Sequence, residues 1–335
     1  MHCAKFYAWH YPTGGGFDDF DTAGFDRMDE GSRHQGKEEQ EAPHAESIRQ
    51  LAAYFKPGFV PFRLDFEAGR AYPLSMLSDA QLRELTKFAE SLADLARSVL
   101  APAHAQVETA VEIKADGTPV TVADKECERL MRAAINQAYP DHGILGEEFG
   151  PEKTDAEFCW VLDPIDGTKS FLSRVPLYVT LIGLLYRGQP VLGLIDQPIL
   201  RERVIGDNRT TTLNGRVVRV QEVPLKQAVV LSSDFDMIRT HQPQAAWSHL
   251  VPAVAYTRTW GDGYGYLLVA SGRAHIMVDP VMNPWDLIPV IPIMRGAGAV
   301  VTDWHGGDAR QSGHVITAAP ALHAEVLRRL NGPAV

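Results

Sequence analysis

The sequence predicts a layered α+β fold, and three observations carry that expectation. Short apolar runs of buried-strand type recur at residues 143–145, 160–162, 179–185, 191–195 and 229–231. Stretches of helical periodicity flank them. Strands and helices then come in blocks rather than as regular βαβ units, which is the pattern of stacked layers.

Taken in order, residues 1–75 stand apart as an extension. The Thr13-Gly14-Gly15-Gly16 stretch and the polar run from Asp29 to Glu41 lack sustained periodicity, which favours loop or disorder. Ile48, Leu51, Ala52 and Phe55 form a short helical face. From residue 76 to 335 the signals belong to one folded region, divided near 205/206. Ser78 or Asp79 caps a helix reaching about Leu100, with Leu82, Leu85, Phe88, Leu92 and Leu95 at helical spacing. Asp116-Gly117 before Thr118-Pro119 reads as a turn. A second helix spans 124–138, with Leu130, Met131, Ala134 and Ile135 on one side, and Pro140 ends it. Arg187-Gly188-Gln189 and Asn214-Gly215 are turn signals, the second a strong hairpin marker. A helix over 264–271 stops at Gly272. Strands at 274–278, 299–302 and 314–317 follow, and a last helix covers 320–330.

The composition is that of a globular protein: 335 residues, 45% hydrophobic and 22% charged. A formal net charge of -10 repels nucleic acids and anionic membranes, which argues against both as partners. Cys3, Cys127 and Cys159 lie far apart and outside any metal-type spacing, which fits a reducing compartment. No apolar run approaches the roughly 18 residues of a spanning helix, and the basic-then-apolar order of a signal peptide is missing. The expectation is a cytoplasmic protein.

The sharpest segment is Trp160-Val161-Leu162-Asp163-Pro164-Ile165-Asp166-Gly167-Thr168. An apolar strand ends in two carboxylates three residues apart, followed by glycine and a hydroxyl. Pro164 stiffens the turn and removes a donor, so the backbone there can offer carbonyls to a cation. Asp163 and Asp166 then face one site from a tight loop. Gly167 and Thr168 open the next helix, where free N–H groups favour phosphate. Hard oxygen ligands at this density suit Mg²⁺, with Mn²⁺ as a substitute, better than zinc. Two further acidic elements can complete the site: Glu147-Glu148 after Gly143-Ile144-Leu145-Gly146, and Asp286 after Pro284-Trp285. Each alone has a plain reading, the first as a solvated surface pair and the second as a helix N-cap.

The ordered triple Gly-Glu-Glu, Asp-Pro-Ile-Asp-Gly-Thr and Trp-Asp resembles the inositol monophosphatase-like superfamily over about residues 77–330. The resemblance implies an αβαβα sandwich and a phosphate monoesterase that uses two or three Mg²⁺ ions. It assigns Glu147, Asp163 and the Ile165 carbonyl to one metal, and Asp163, Asp166 and Asp286 to a second. Gly167 and Thr168 receive the phosphate, and Asp124, in Thr121-Val122-Ala123-Asp124, pairs with the Thr168 hydroxyl to orient the attacking water. Asp124 reads otherwise as a helix cap. In this picture residues 76–205 are the metal-binding half and 206–335 the substrate-selecting half. Water activated by the cations attacks phosphorus in line, with no histidine or cysteine nucleophile. A homodimer is implied as well.

Thr257 to Tyr266 and Met277-Val278-Asp279-Pro280 are similar to the corresponding stretches of the superfamily's histidinol phosphatases. By family position Trp260, Asp262 and Asp279 line the alcohol side of the pocket. Two carboxylates outside the metal set suit a cationic alcohol such as histidinol, so histidinol phosphate is the expected substrate. In the bland reading Asp262 sits in a Gly-Asp-Gly turn and Asp279 caps a strand end. The alternatives are an inositol, sugar or nucleotide monophosphatase, or a non-enzymatic phosphate sensor. Two features depart from the family pattern. Gly263 stands where these enzymes often have cysteine, and Pro292 is expected to kink or shorten the helix that follows Asp286.

Overall fold

A computed structural model describes residues 77–106, 111–113, 119–242 and 245–332. The extension over 1–75 and the Asp116-Gly117 turn lie outside the described residues. Helix α1 (Asp79–Ala105) begins at a capping box, in which the Gln81 N–H donates to Ser78 Oγ at 3.2 Å and the Ser78 N–H to Gln81 Oε1 at 3.1 Å. It runs on past Leu100 through Pro102. A small hairpin, β1 (Val111–Ile113) with β2 (Pro119–Thr121), leads into α2 (Val122–Ala138).

The first sheet is built from β3 (Gly143–Gly146), β4 (Gly150–Glu152), β5 (Phe158–Asp166), β6 (Val179–Tyr186), β7 (Gln189–Gln197), β8 (Glu202–Gly206), β9 (Thr211–Leu213) and β10 (Arg216–Val217). Its order is β10-β9-β8-β7-β6-β5-β3-β4, and α3 (Thr168–Leu172) sits between β5 and β6 in sequence. Only β3 and β5 run parallel; every other neighbour pair is antiparallel. Both predicted turns form, and both close hairpins. Arg187 and Gly188 have φ of 49° and 71°, and Asn214 and Gly215 have 48° and 77°, the positive values that a two-residue hairpin turn of this hand requires.

The second sheet contains β11 (Val229–Leu231), β12 (Tyr256–Arg258), β13 (Ile276–Asp279), β14 (Val300–Thr302) and β15 (Val315–Ala318), in the order β12-β11-β13-β15-β14. Helices α4 (Phe235–His241), α5 (Trp247–Leu250), α6 (Asp262–Ala270), α7 (Pro284–Gly296), α8 (Ala309–Ser312) and α9 (Pro320–Asn331) alternate with these strands. The change of sheet falls between Val217 and Val229. The sequence did not single out β4, β8, β9 or β12, which are short or mostly polar.

Three apolar layers hold the stack together. Leu92, Leu100, Met131 and Ile135 of α1 and α2 pack on Trp160, Leu162, Ile182 and Leu184 of the first sheet. Leu267, Val290 and Ile293 of α6 and α7 lie between Val179, Ile195 and Val204 of that sheet and Leu231, Met277 and Val315 of the other. Leu322, Val326 and Leu330 of α9 close the far side against Val230, Ile276 and Ile316. Val229 and Leu231 face one layer while Val230 faces the next, the alternation of a strand covered on both sides. The architecture is the αβαβα sandwich that the resemblance implies.

Helix α7 differs from expectation. It continues through Pro292 to Gly296 instead of stopping short. At its C-terminal end, groups outside the helix take up carbonyls of the last turn: Pro292 O accepts the Asn208 N–H at 3.1 Å, Ile293 O the Thr211 hydroxyl at 2.6 Å, and Gly296 O the Arg219 guanidinium at 3.0 Å. Gly183, Gly193 and Gly206 are paired neighbours on β6, β7 and β8, and form a groove for this helix. A Cβ at Gly193 would overlap the Pro289 carbonyl, and one at Gly206 would overlap the Ile293 backbone. Asp286 is thereby fixed by the sheet as well as by its own cap.

Candidate active site

The acidic residues come from three elements that meet at one end of the first sheet. Strand β5 carries Asp163 and Asp166, and continues through both rather than ending in a loop before them. A register shift against β6 lies between the two carboxylates. Such an irregularity re-aims side chains that a regular pleat would send to opposite faces or to fixed positions. The Thr180 hydroxyl holds the bulge by donating to Pro164 O at 2.8 Å. Glu147 follows β3, whose parallel pairing sets Gly146 opposite Leu162, and the Glu147 N–H donates to Leu162 O at 3.1 Å. Asp286 is the third residue of α7, and its Oδ2 accepts from the Asn283 N–H at 2.9 Å.

One carboxylate oxygen from each of Asp163, Asp166 and Asp286 lies within 4.8 Å of the others. Glu147 adjoins them, within hydrogen-bonding reach of Asp163. Asp163 is 2% exposed, and its Oδ1 is buried with no hydrogen-bond partner among the described residues. A carboxylate oxygen buried without a donor is costly unless a cation meets it. Burial and then the negative neighbours Glu147, Asp166 and Asp286 push the Asp163 carboxyl well above the usual range. Asp166 is pushed up by burial, Asp262 and Asp286. Asp286 rises to about 7, through burial and then Glu147. The three clustered aspartates therefore favour protons or a multivalent cation over ionisation unaided. The donor set is all oxygen, which fits Mg²⁺ or Mn²⁺.

Gly167 caps α3 with φ 86° and ψ 42°, a conformation that glycine adopts without cost. Thr168 opens that helix, and its hydroxyl donates to the Ile165 carbonyl at 3.2 Å. Helix α3 lies against β2 and so brings Thr168 toward the start of α2. There the buried Asp124 accepts at Oδ2 from the Thr121 N–H at 2.8 Å and the Thr121 hydroxyl at 2.6 Å. Asp124 therefore does serve α2 as part of a capping box. The helix starts at Val122, earlier than its apolar periodicity indicates.

On the other side, α6 begins at Asp262, ahead of the predicted Tyr264. Asp262 has φ 51°, and its carboxylate lies over Gly167, where a Cβ would come within 2.9 Å of Oδ2. Burial and then Asp279 push its carboxyl up to about 6, against the pull of Lys169. Asp279 is 1% exposed, and both its oxygens are taken: Oδ1 by the Ser233 N–H at 2.8 Å, and Oδ2 by the Tyr266 hydroxyl at 2.9 Å. Ser233 Oγ in turn accepts the Asp262 N–H at 2.8 Å. Asp279 thus sits behind Asp262 and orders it through Ser233. Trp260 is 43% exposed, with the Arg258 guanidinium 5.9 Å from its ring centroid.

Within the flagged segment, Tyr266 helps to hold Asp279 and the Gly263 N–H donates to Asp166 Oδ2. The motifs did not flag Ser233, which also holds Asp279, or Glu128, which is fully buried against the turn that follows Glu147. Glu128 did leave a signal. It falls on the same α2 face as Cys127, Met131 and Ile135, where an acidic residue is out of place.

The model of the inositol monophosphatase family matches residues 81–332. The chain belongs to that family. Among curated relatives of this inositol monophosphatase family member, the chloroplastic bifunctional phosphatase IMPL2 of Arabidopsis thaliana is 39% identical over 235 residues, covering 69% of this chain and 68% of its own. A histidinol-phosphatase of Chlorobaculum parvum is 37% identical, over 62% of this chain and 80% of the relative. Among solved structures, an inositol monophosphatase from Zymomonas mobilis matches with a TM-score of 0.67 at 32% identity, covering 76% of this chain and 99% of that one. The protein is a phosphatase of this metal-dependent family, and its described residues include an acidic cluster that could hold a cation. No helix among the described residues is long and apolar enough to cross a membrane.

Proposed function

We propose that this phosphatase hydrolyses histidinol phosphate to histidinol and phosphate, with Mg²⁺ as its cofactor. The observation that carries the substrate is Asp262, a carboxylate outside the ligand set, leaning over Gly167 and backed by a second buried carboxylate, Asp279. A cationic alcohol gains a charge-assisted partner there, whereas a neutral polyol leaves that carboxylate desolvated and unpaired. The Chlorobaculum parvum relative points the same way.

Glu147, Asp163 and the Ile165 carbonyl would hold one Mg²⁺, and Asp163, Asp166 and Asp286 a second. When bound, the cations neutralise the carboxylates and the phosphate and lower the pKa of water toward neutrality. The Gly167 and Thr168 backbone receives the phosphate. Asp124 and Thr168 orient the attacking water, which forms the new P–O bond in line as the ester P–O bond breaks. Histidinol leaves carrying its oxygen and ends with the proton that the attacking water gives up, so that no further reactant is needed. A reducing, cytoplasmic setting belongs to the same reading, supported by Cys127 and Cys159, which are both free and buried, and a homodimer follows from the family resemblance alone.

Phosphate release with Mg²⁺ from histidinol phosphate, myo-inositol 1-phosphate, fructose 1,6-bisphosphate and 3′-phosphoadenosine 5′-phosphate tests the reading. The expected result is a kcat/KM at least about a hundredfold higher for histidinol phosphate, about 2.7 kcal/mol of transition-state preference. Comparable rates on all four would remove the substrate assignment and leave a broad phosphatase.

A further inference from the structure

Glu128 has no part in the chemistry above, yet it is fully buried against the turn that carries Glu147. Its Oε2 accepts the Glu148 N–H at 2.7 Å. Its Oε1 accepts the Phe149 N–H at 3.1 Å and Arg132 Nε at 2.8 Å. Arg132 then reaches across the same turn to the Gly150 carbonyl, and to Glu152 Oε2 at 3.4 Å. Gly146 leaves the room this needs, since a Cβ there would overlap the Glu128 carboxylate. The turn from Gly146 to Gly150 is therefore gripped from below by one carboxylate and one guanidinium on α2. From above, the Glu147 N–H is tied to Leu162 O.

A buried charge held this fully is expensive to place, and an apolar pair could join helix to turn at less cost. What the ion pair supplies is direction. Two backbone N–H groups aimed at fixed oxygens set the φ and ψ of the turn, and with them where the Glu147 side chain points. Asp124 lies one turn earlier on the same helix, so α2 presents the water-orienting residue and the turn-holding residue on one rigid element.

We propose that Glu128, paired with Arg132, is a positioning residue that pre-sets Glu147 for cation binding. The proposal rests on the assignment of Glu147 as a metal ligand. Outer partners of metal ligands set affinity by about 10- to 100-fold, and the same scale is expected here.

The test is Mn²⁺ affinity, read from the EPR signal of free Mn²⁺ over the full-length metal-free protein, for the wild type and for the Glu128→Gln, Arg132→Lys and Glu147→Gln variants. Tm without metal is taken alongside. The Glu128→Gln change keeps the shape of the side chain but turns an amide toward backbone N–H groups. It is expected to weaken Mn²⁺ binding at least about tenfold, and to raise the Mg²⁺ concentration for half-maximal phosphate release in parallel. At saturating Mg²⁺, kcat should return to within about threefold of wild type. Arg132→Lys keeps the charge but loses the fork, and should show a smaller shift in the same direction, which also covers the case in which Glu128→Gln fails to fold. A fall in Tm with unchanged Mn²⁺ affinity in both variants would reduce the pair to a structural brace and overturn the proposal. If Glu147→Gln weakens Mn²⁺ binding while the other two do not, the ligand assignment stands and the positioning role alone is lost. If Glu147→Gln itself leaves Mn²⁺ binding unchanged, Glu147 is no ligand and both readings fall.

Discussion

The backbone N–H of Gly263 donates to Asp166 Oδ2, tying the first turn of α6 to the carboxylate cluster on β5. The neighbouring Asp262 is thereby held to the same point as the ligand that would bear the cation. Under the proposed function, this one hydrogen bond joins the alcohol side of the pocket to the cation site.

That bond makes Gly263 intolerant of a side chain. A Cβ there would come within 2.6 Å of Asp166 Oδ2 and 2.5 Å of Val179 Cγ2. Gly263→Ala is expected to lower kcat about tenfold or more, roughly 1.4 kcal/mol, and to lower Tm by a few degrees. Steady-state kinetics with a thermal melt checks both. A variant with wild-type kinetics would mean that α6 shifts freely.

Asp286→Asn separates the two roles of the acidic cluster. The change removes one of the mutually repelling carboxylates, so the metal-free protein is expected to melt at or above the wild-type temperature. Turnover should fall by about a thousandfold, and the Mg²⁺-induced rise in Tm should shrink or vanish. Calorimetry with and without Mg²⁺ reads the two effects separately.

The pH dependence of the metal-free protein follows from Asp286 at about 7 and Asp262 at about 6. Both values lie above the unfolded carboxylate range near 4. The folded state therefore holds more protons between about pH 4 and 7, and stability falls as pH rises through that window. Tm in chelator is expected to drop by several degrees from about pH 5 to about 7.5, and Mg²⁺ should stabilise more at the upper end, where the carboxylates are ionised. A Tm that rises over this window without metal would contradict the burial of these groups.

Asp262→Asn should act on selectivity. Asparagine tolerates the positive φ at this position, so the fold is spared. The KM for histidinol phosphate is expected to rise about tenfold, about 1.4 kcal/mol, with little change for myo-inositol 1-phosphate. Equal changes for both substrates would place Asp262 outside the alcohol pocket.

The sequence alone determined a good deal. The apolar runs at 160–162, 179–185 and 191–195 were legible because strands covered on both faces must be apolar throughout, and the hairpin turn at Asn214-Gly215 because few residues accept two positive φ values. Asp163 and Asp166 were legible because two carboxylates, a glycine and a hydroxyl closing an apolar run are rarely placed there by packing alone, whereas Asp286, by itself a plain helix cap, joined them only through the family resemblance. Tertiary structure decided the rest. Pro292 was read as a break because a sequence shows the missing donor, but not the sheet surface packed against Ile288, Pro289 and Ile293 on both sides of it, which holds α7 in place. The groove of Gly183, Gly193 and Gly206 exists only once β6, β7 and β8 pair in register. Glu128 and Ser233 acquired their partners the same way. A hydrogen bond between residues far apart in the chain leaves no spacing to read, because it is set by which elements meet and at what register.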